Sequence, residues 1–386
     1  MSLSDVLILS VEAGAGHIRA AQALHSALKK RGIRSHIEDI FTCGPSWVFR
    51  FTIGSYMHML HYTPGLYRKL YDTSATLKVG SLSKSFFNQS LWKYLGPGLK
   101  ALLQEHKPRV VICTHPFPLG LLSVLKKEES LDLKTAGVVT DFSFHPFWIY
   151  SDCDRYYVAA EDLIDEIEKL GDKREKAVVT GIPIDPSFLT VTDMKREAAE
   201  EVAALSSASH RILIMGGSLG LGALDVWVNS LLLQMQNSDI DTWQIVVVAG
   251  KNKSLEERLS AIESPHLKVY GFTDKIAYLM ASSDLLITKP GGLSSSEAIA
   301  LELPQLLLSP LPGHEERNYQ FLLKKDVARG ASTVEELTKL TIQLIKDHKE
   351  RSLLQEGAKK LKKAQAAYHV AEDIDKILSQ TSVMGS

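Results

Sequence analysis

The chain has 386 residues, enough for two domains with cores of their own, and its 45% hydrophobic and 23% charged residues are the proportions of an ordinary globular protein. A formal net charge of −1 excludes a general nucleic-acid binder, which needs a marked basic excess. The three cysteines, Cys43, Cys113 and Cys153, are odd in number and lack C-x-x-C spacing, so neither a disulfide framework nor a zinc site is indicated and a reducing cytosol is expected.

Asp5 to Ser10 (DVLILS) reads as a short buried strand, with no basic segment before it to act as a leader. Val11 to His17 is a Gly-rich turn, a helical pattern runs from Ile18 to Lys30, Gly32 stops it, and Ile33 to Ile40 is a second strand. Strand, turn, helix and strand open a βαβ unit. Apolar runs at Arg109 to Thr114, Thr135 to Thr140 and Arg155 to Ala160 continue an open parallel sheet. No apolar run reaches the roughly 18 residues needed to span a bilayer. A cytoplasmic protein is therefore expected, able to touch a membrane only peripherally.

Positions 41–95 interrupt this pattern. They hold Phe41, Trp47, Phe49, Phe51, Phe86, Phe87 and Trp92 among other aromatics, and Arg50, Arg68, Lys69, Lys78, Lys84 and Lys93 face only Asp72. Aromatic plus cationic is the composition of segments that meet anionic headgroups. Helices packed over the first domain, with a solvated basic face, fit the composition equally well.

Val178 to Pro186 ends the first sheet with a glycine and two prolines, and Asp193 to Leu205 is a charged helix; the domain boundary is expected between them. A second βα series follows: strands at Arg211 to Met215, Gln244 to Ala249 and Leu267 to Gly271, then Asp284-Leu285-Leu286-Ile287, the Gly291-Gly292 turn and a helix starting near Ser294. The expected fold is α/β, with two doubly wound Rossmann-like domains facing a cleft. Domain one is 1–190 with the 41–95 insertion, domain two is 191–365, and 366–386 is a helix crossing back to the first.

Three Gly-rich turns, at Gly14/Gly16, Gly216 to Gly222 and Gly291-Gly292, fall at the C-terminal ends of predicted strands, the edge where open α/β sheets bind ligands. A helix start preceded by glycines offers free N–H groups and a positive dipole end to phosphate. Gly216-Gly217-Ser218-Leu219-Gly220 also matches G-x-S-x-G, which would make Ser218 a hydrolase nucleophile; read otherwise, Gly217 and Ser218 hold a diphosphate. Ser294-x-x-Glu297 fits a capping box, with Glu297 returning to the helix N-terminus, and fits a ribose-binding carboxylate as well. His17 and Asp141, each just after a strand, are candidate general bases or local caps, and His145 is a further candidate. Asp152-Cys153-Asp154 matches a D-x-D metal motif, but so do Asp239-x-Asp241 and Asp373-x-Asp375, and no metal is expected.

Gly14-Ala15-Gly16-His17, Val138-Val139-Thr140-Asp141, His145-Pro146-x-Trp148, Gly181-Ile182-Pro183-Ile184, Tyr270-Gly271-Phe272-Thr273-Asp274, Thr288-Lys289-Pro290-Gly291-Gly292 and Pro312-Gly313-His314-Glu315-Glu316-Arg317-Asn318 occur in one order over roughly 5–370. In this the chain resembles the monogalactosyldiacylglycerol synthase and processive diacylglycerol glucosyltransferase family. The resemblance implies a GT-B fold and inverting transfer of a hexose from UDP-hexose to diacylglycerol or monoglycosyl-diacylglycerol, without a cofactor. Carried over, it implies that Phe272 and Thr273 meet the uracil, and that Gly291, Gly292, Ser294, Ser295 and Ser296 hold the diphosphate. Glu297 would bind the ribose, and Glu315, Glu316 and Asn318 the hexose. Against diacylglycerol at an anionic membrane it sets Trp47, Phe49, Phe51, Phe86, Phe87 and Trp92, at the inner face of the cell membrane.

Overall fold

A computed structural model describes residues 4–12, 15–74, 82–129, 131, 133–216 and 224–383. The chain divides into two compact units, the first formed by 1–186, 311–314 and 365–386 and the second by 187–310 and 315–364.

The first unit runs β1 (Val6–Ser10), α1 (Ala15–Lys30), β2 (Ser35–Asp39), α2 (Ser46–Tyr62), α3 (Pro64–Ser74), α4 (Leu82–His106), β3 (Val110–Cys113), α5 (Pro116–Glu129), β4 (Lys134–Val138), β5 (Arg155–Val158), α6 (Asp162–Lys169) and β6 (Ala177–Val179). All six strands are parallel, in the order β2-β1-β3-β4-β5-β6. Helices cover both faces of such a sheet, so β1 and β3 are apolar on both sides rather than alternating and are buried along their length. Chain order reverses between β1 and β3, and crevices for ligands open at such switch points, beyond the carboxyl ends of the strands.

The second unit runs α7 (Ser187–Thr192), α8 (Arg196–Ala203), β7 (His210–Met215), α9 (Leu224–Gln236), β8 (Trp243–Val248), α10 (Lys253–Ser260), β9 (Leu267–Tyr270), α11 (Ile276–Ala281), β10 (Leu285–Thr288), α12 (Gly292–Ala300), β11 (Gln305–Leu308), α13 (His314–Lys324, whose first residue, His314, belongs to the first unit), β12 (Ala328–Ala331), α14 (Val334–Lys346) and α15 (His348–Leu361). Its parallel sheet is ordered β12-β11-β10-β7-β8-β9, with the switch between β7 and β10. Arg211, fully buried at the start of β7, is neutralised by Glu200 at 2.7 Å and donates to the Ser282 and Ser206 carbonyls, so the charge is compensated where it lies.

The last helix, α16 (Ala366–Val383), belongs to the first unit. Val370, Ala371 and Ile374 bury against the α1 side of the first core. Tyr157 donates to Asp373 at 2.9 Å and Arg155 pairs with the same carboxylate at 3.3 Å, which fixes the helix over β5.

Local boundaries depart from the sequence reading in instructive ways. The charged helix expected from Asp193 to Leu205 is the shorter α8, Arg196–Ala203, and a separate short helix, α7, precedes it. Helix α1 begins at Ala15 rather than Ile18, which places His17 inside its first turn. Helix α4 runs through Gly96-Pro97-Gly98, residues that ordinarily end a helix, and the reason is a close crossing. A Cβ on Gly98 would overlap the Cys43 carbonyl of the turn before α2. Gly98→Ala therefore forces the two backbones apart and is expected to lower stability by about 1–3 kcal/mol, read as a fall in urea midpoint at unchanged m-value.

Candidate active site

His17, in the first turn of α1, sits at the first switch point. Its Nδ1 lies 2.9 Å from the Thr114 carbonyl, which follows β3, and 2.9 Å from the Thr140 hydroxyl, which follows β4. A carbonyl only accepts, so Nδ1 carries the hydrogen and shares it between the two oxygens. Nε2 is left with its lone pair, the form a general base needs. Burial pushes the imidazole below the ordinary histidine range, with Asp141 and the Thr114 carbonyl opposing and His314 adding to the effect. The neutral base is thus held at lower pH than a free histidine would allow. Asp141, half-buried after β4, acts on His17 through its charge.

His115, two residues past the end of β3, escaped the sequence reading although it satisfies the criterion that selected His17 and Asp141, a titratable residue just after a strand. Its ring meets His17 edge-on at 4.7 Å between centres. Burial and the neighbouring imidazoles of His17 and His314 hold its pKa well below 6.5. His145 has a different occupation. Its Nδ1 accepts from Phe147 N at 3.2 Å, so its Nε2–H donates to Ser74 at 3.1 Å and ties the end of α3 to the sheet.

In the second unit the turn after β10 leads into α12, whose N-cap is Gly291 in an extended conformation without a side-chain cap. This overturns the capping-box reading. A capping glutamate stands three residues after its cap, whereas Glu297 lies in the second turn, 2% exposed. The first intrahelical bond is Ser295 N to Gly291 O at 3.0 Å, so the N–H groups of Gly292, Leu293 and Ser294 open onto the helix N-terminus. Ser294 and Ser296 are half-buried, but Ser295 is fully buried and its hydroxyl faces inward. Glu315 is 3% exposed and pairs with Lys289 at 2.6 Å, while Asn318 donates to the Pro290 carbonyl at 3.2 Å. Both therefore brace the β10–α12 turn, and the half-buried Glu316 stands between them in sequence on α13. Phe272, beyond edge strand β9, is 67% exposed, and Thr273 Oγ1 accepts from Lys275 N at 3.1 Å, shaping the entry to α11. Gly16 is the second residue of α1. Gly14, Gly217 and Ser218, and with Ser218 the hydrolase alternative, lie outside the described residues.

The aromatic–basic insertion forms α2, α3 and the first half of α4. Its rings divide. Phe49 packs edge-on against buried Phe41 at 5.3 Å. Trp92 donates to Glu128 at 3.1 Å and lies under Lys100, so its role is to join α4 to α5. Trp47, Phe51, Tyr62, Leu66, Leu70 and Tyr94 are half of all the large hydrophobic side chains exposed among the described residues, and exposed Arg50, Arg68, Lys69 and Lys93 lie on the same helices. The side chains of Phe86 and Phe87 lie outside what the structure describes. Among the described residues no helix is long and apolar enough to cross a membrane. Asp152 accepts from Ser123 at 2.7 Å and Asp154 is paired with Lys126 and Lys134, so the D-x-D carboxylates are engaged in the fold.

Comparison with known proteins matches two stretches of the chain to two family descriptions. Residues 17–184 match the family described as monogalactosyldiacylglycerol (MGDG) synthase, and residues 211–374 match the glycosyltransferase family 28 C-terminal domain. Among curated proteins, the processive diacylglycerol beta-glucosyltransferase of Bacillus cereus (strain B4264) is 32% identical, over 96% of this chain and 92% of its own length. Among solved structures, MurG of Acinetobacter baumannii superposes with a TM-score of 0.61 at 18% identity, covering 96% of this chain and 99% of its own. The UDP-GlcNAc 2-epimerase of Neisseria meningitidis superposes at 0.59 and 13% identity, over 97% and 100%. At such identities the structural likeness speaks for the fold, which is GT-B.

Proposed function

Because the chain belongs to the family of monogalactosyldiacylglycerol synthases and processive diacylglycerol glucosyltransferases, we propose that it moves a hexose from UDP-hexose to the free hydroxyl of diacylglycerol or monoglycosyl-diacylglycerol, with inversion, to make a β-glycolipid. The observation that carries the chemistry is the tautomer of His17, with Nδ1–H bound to Thr114 and Nε2 left basic. His17 Nε2 takes the acceptor proton as the hydroxyl oxygen attacks C1 of the sugar, and the bond from C1 to the UDP oxygen breaks on the opposite face. The departing diphosphate is met by the N–H groups that open α12 and by its dipole, which stabilise the developing charge without reorganising. Glu297 would hold the ribose, and the first turn of α13 the hexose. Phe272, exposed beyond β9, offers its face to the uracil.

The test is direct: purified protein, radiolabelled UDP-hexoses supplied singly, and diacylglycerol vesicles are expected to yield a chloroform-soluble glycolipid, with turnover persisting in EDTA. A folded protein that binds UDP and makes no glycolipid with any UDP-hexose sinks the reading.

The exposed rings and cations of α2 and α3 support peripheral docking on an anionic bilayer, where the lipid acceptor is found. Burying a large apolar side chain contributes about 1.5–3 kcal/mol. Trp47→Ser with Phe51→Ser is therefore expected to weaken flotation with anionic liposomes by about 100-fold or more, while turnover of a detergent-dispersed acceptor persists. Equal flotation of variant and parent would place the docking face elsewhere.

A further inference from the structure

His115 is the second imidazole of the first switch point, and the hydrogen-bond chemistry around it is the inverse of that around His17. Phe117 N, in the first turn of α5, donates to His115 Nδ1 at 3.2 Å. A backbone N–H only donates, so Nδ1 is the bare nitrogen and Nε2 carries the hydrogen. His17, with Nδ1–H on the Thr114 carbonyl at 2.9 Å, has the opposite tautomer. Two half-buried rings with centres 4.7 Å apart thus present one acceptor and one donor, each set by the backbone. Among the described residues neither Nε2 is taken by another group of the protein. Burial also keeps His115 uncharged, so it does not compete as an acid with the proton moving to His17.

The His17 side of this pair is spoken for if His17 is the base. A hydrogen bond from His115 to the same attacking oxygen would draw on the lone pair that must reach C1, which slows attack. The donor is useful on a different oxygen, close to the first. We propose that His115 Nε2–H binds the oxygen on the carbon next to the reacting carbinol, so that the site selects acceptors in which a primary hydroxyl has a vicinal oxygen. Diacylglycerol has one, the ester oxygen on its central carbon. A hexoside reacting through its 6-hydroxyl has another, the ring oxygen on C5. One contact would thus serve both a first and a second glycosylation, which a pocket shaped only to acyl chains would not. His115 is an acceptor-binding residue on this account, and the inference rests on the proposed transferase reading and on His17 as its base.

Two acceptors that differ in one atom test it: 2-hexadecyloxyethanol, with a vicinal ether oxygen, and octadecanol, a chain of similar length without one, each in mixed micelles with UDP-hexose. The native enzyme is expected to favour the ether by about tenfold in kcat/KM, the scale of one well-placed hydrogen bond. His115→Asn keeps an oxygen to cap Phe117 N and withdraws the Nε2 donor; the preference should fall to near one, through the ether substrate alone. His115→Gln, whose amide reaches toward the Nε2 position, should recover part of it. UDP affinity and thermal midpoint, unchanged in both variants, separate this from misfolding. A native preference near one, a preference untouched by His115→Asn, or equal losses on both acceptors overturns the proposal, as does failure to use the ether by an enzyme that glycosylates diacylglycerol. No glycolipid from diacylglycerol with native protein counts instead against the transferase reading, and the native preference can be measured even if a variant does not fold.

Discussion

His17→Ala is expected to lower kcat for glycolipid formation by about 10²–10⁴-fold, the range that a positioned general base contributes, with the affinity for UDP unchanged. The ring lies in the first unit, where Thr114 and Thr140 align it, and on the proposed mechanism its loss would remove proton transfer. Its pH dependence distinguishes it from Asp141. Burial lowers the His17 pKa from 6.5, so the acid limb of kcat/KM should fall below that value. The Asp141 charge opposes the lowering, so Asp141→Asn should move the limb to still lower pH while turnover persists. If Asp141 were itself the base, Asp141→Asn would abolish turnover and His17→Ala would be the milder change. Stability has the same sign. The folded state favours neutral His17 and neutral His115, whereas the unfolded chain protonates both near 6.5. Their contribution is present above that pH and is lost as pH falls through the depressed folded values, up to about 1.4 kcal/mol per pH unit for each proton.

Much of this site was legible because parallel strands buried on both faces announce themselves as unbroken apolar runs. VLILS, VVIC and LLIT each lead into a turn at the carboxyl edge of a sheet, and the expectation of two doubly wound halves followed from that repetition. Strand order is not written in periodicity. That β1 neighbours β3, and β7 neighbours β10, is what makes two of the turns switch points and brings His17 beside His115 across nearly a hundred residues. The fate of each aromatic in 41–95 was likewise hidden. Composition counts rings but does not show which side of a helix faces a core: Trp92 is tied to Glu128 of α5, whereas Trp47 meets Tyr94 of α4 and stays exposed. The helix-start residues misled for a subtler reason: Ser294 is a good cap by type, yet an extended Gly291 opens the helix earlier and needs no side chain to do so.

That shift gives Glu297 its interest. Released from the capping box, it is a carboxylate buried in the second turn of α12, and the N–H groups that open the same helix are its nearest functional neighbours along the chain. A diphosphate on those groups would set the adjoining ribose one helical turn further in, at the height of Glu297. Hydrogen bonds to a charged group contribute about 1.5–3 kcal/mol, so Glu297→Ala is expected to raise KM for UDP-hexose by about 10–150-fold. Reduced packing alone would weaken every nucleotide alike. Competition with UDP and with 2′,3′-dideoxy-UDP resolves the two causes: the native enzyme should favour UDP, and Glu297→Ala should bind the pair equally. Glu297→Gln, which keeps the shape but not the charge, should lie between them. A variant that retains full preference for UDP would remove Glu297 from the ribose and leave α12 with the phosphates only.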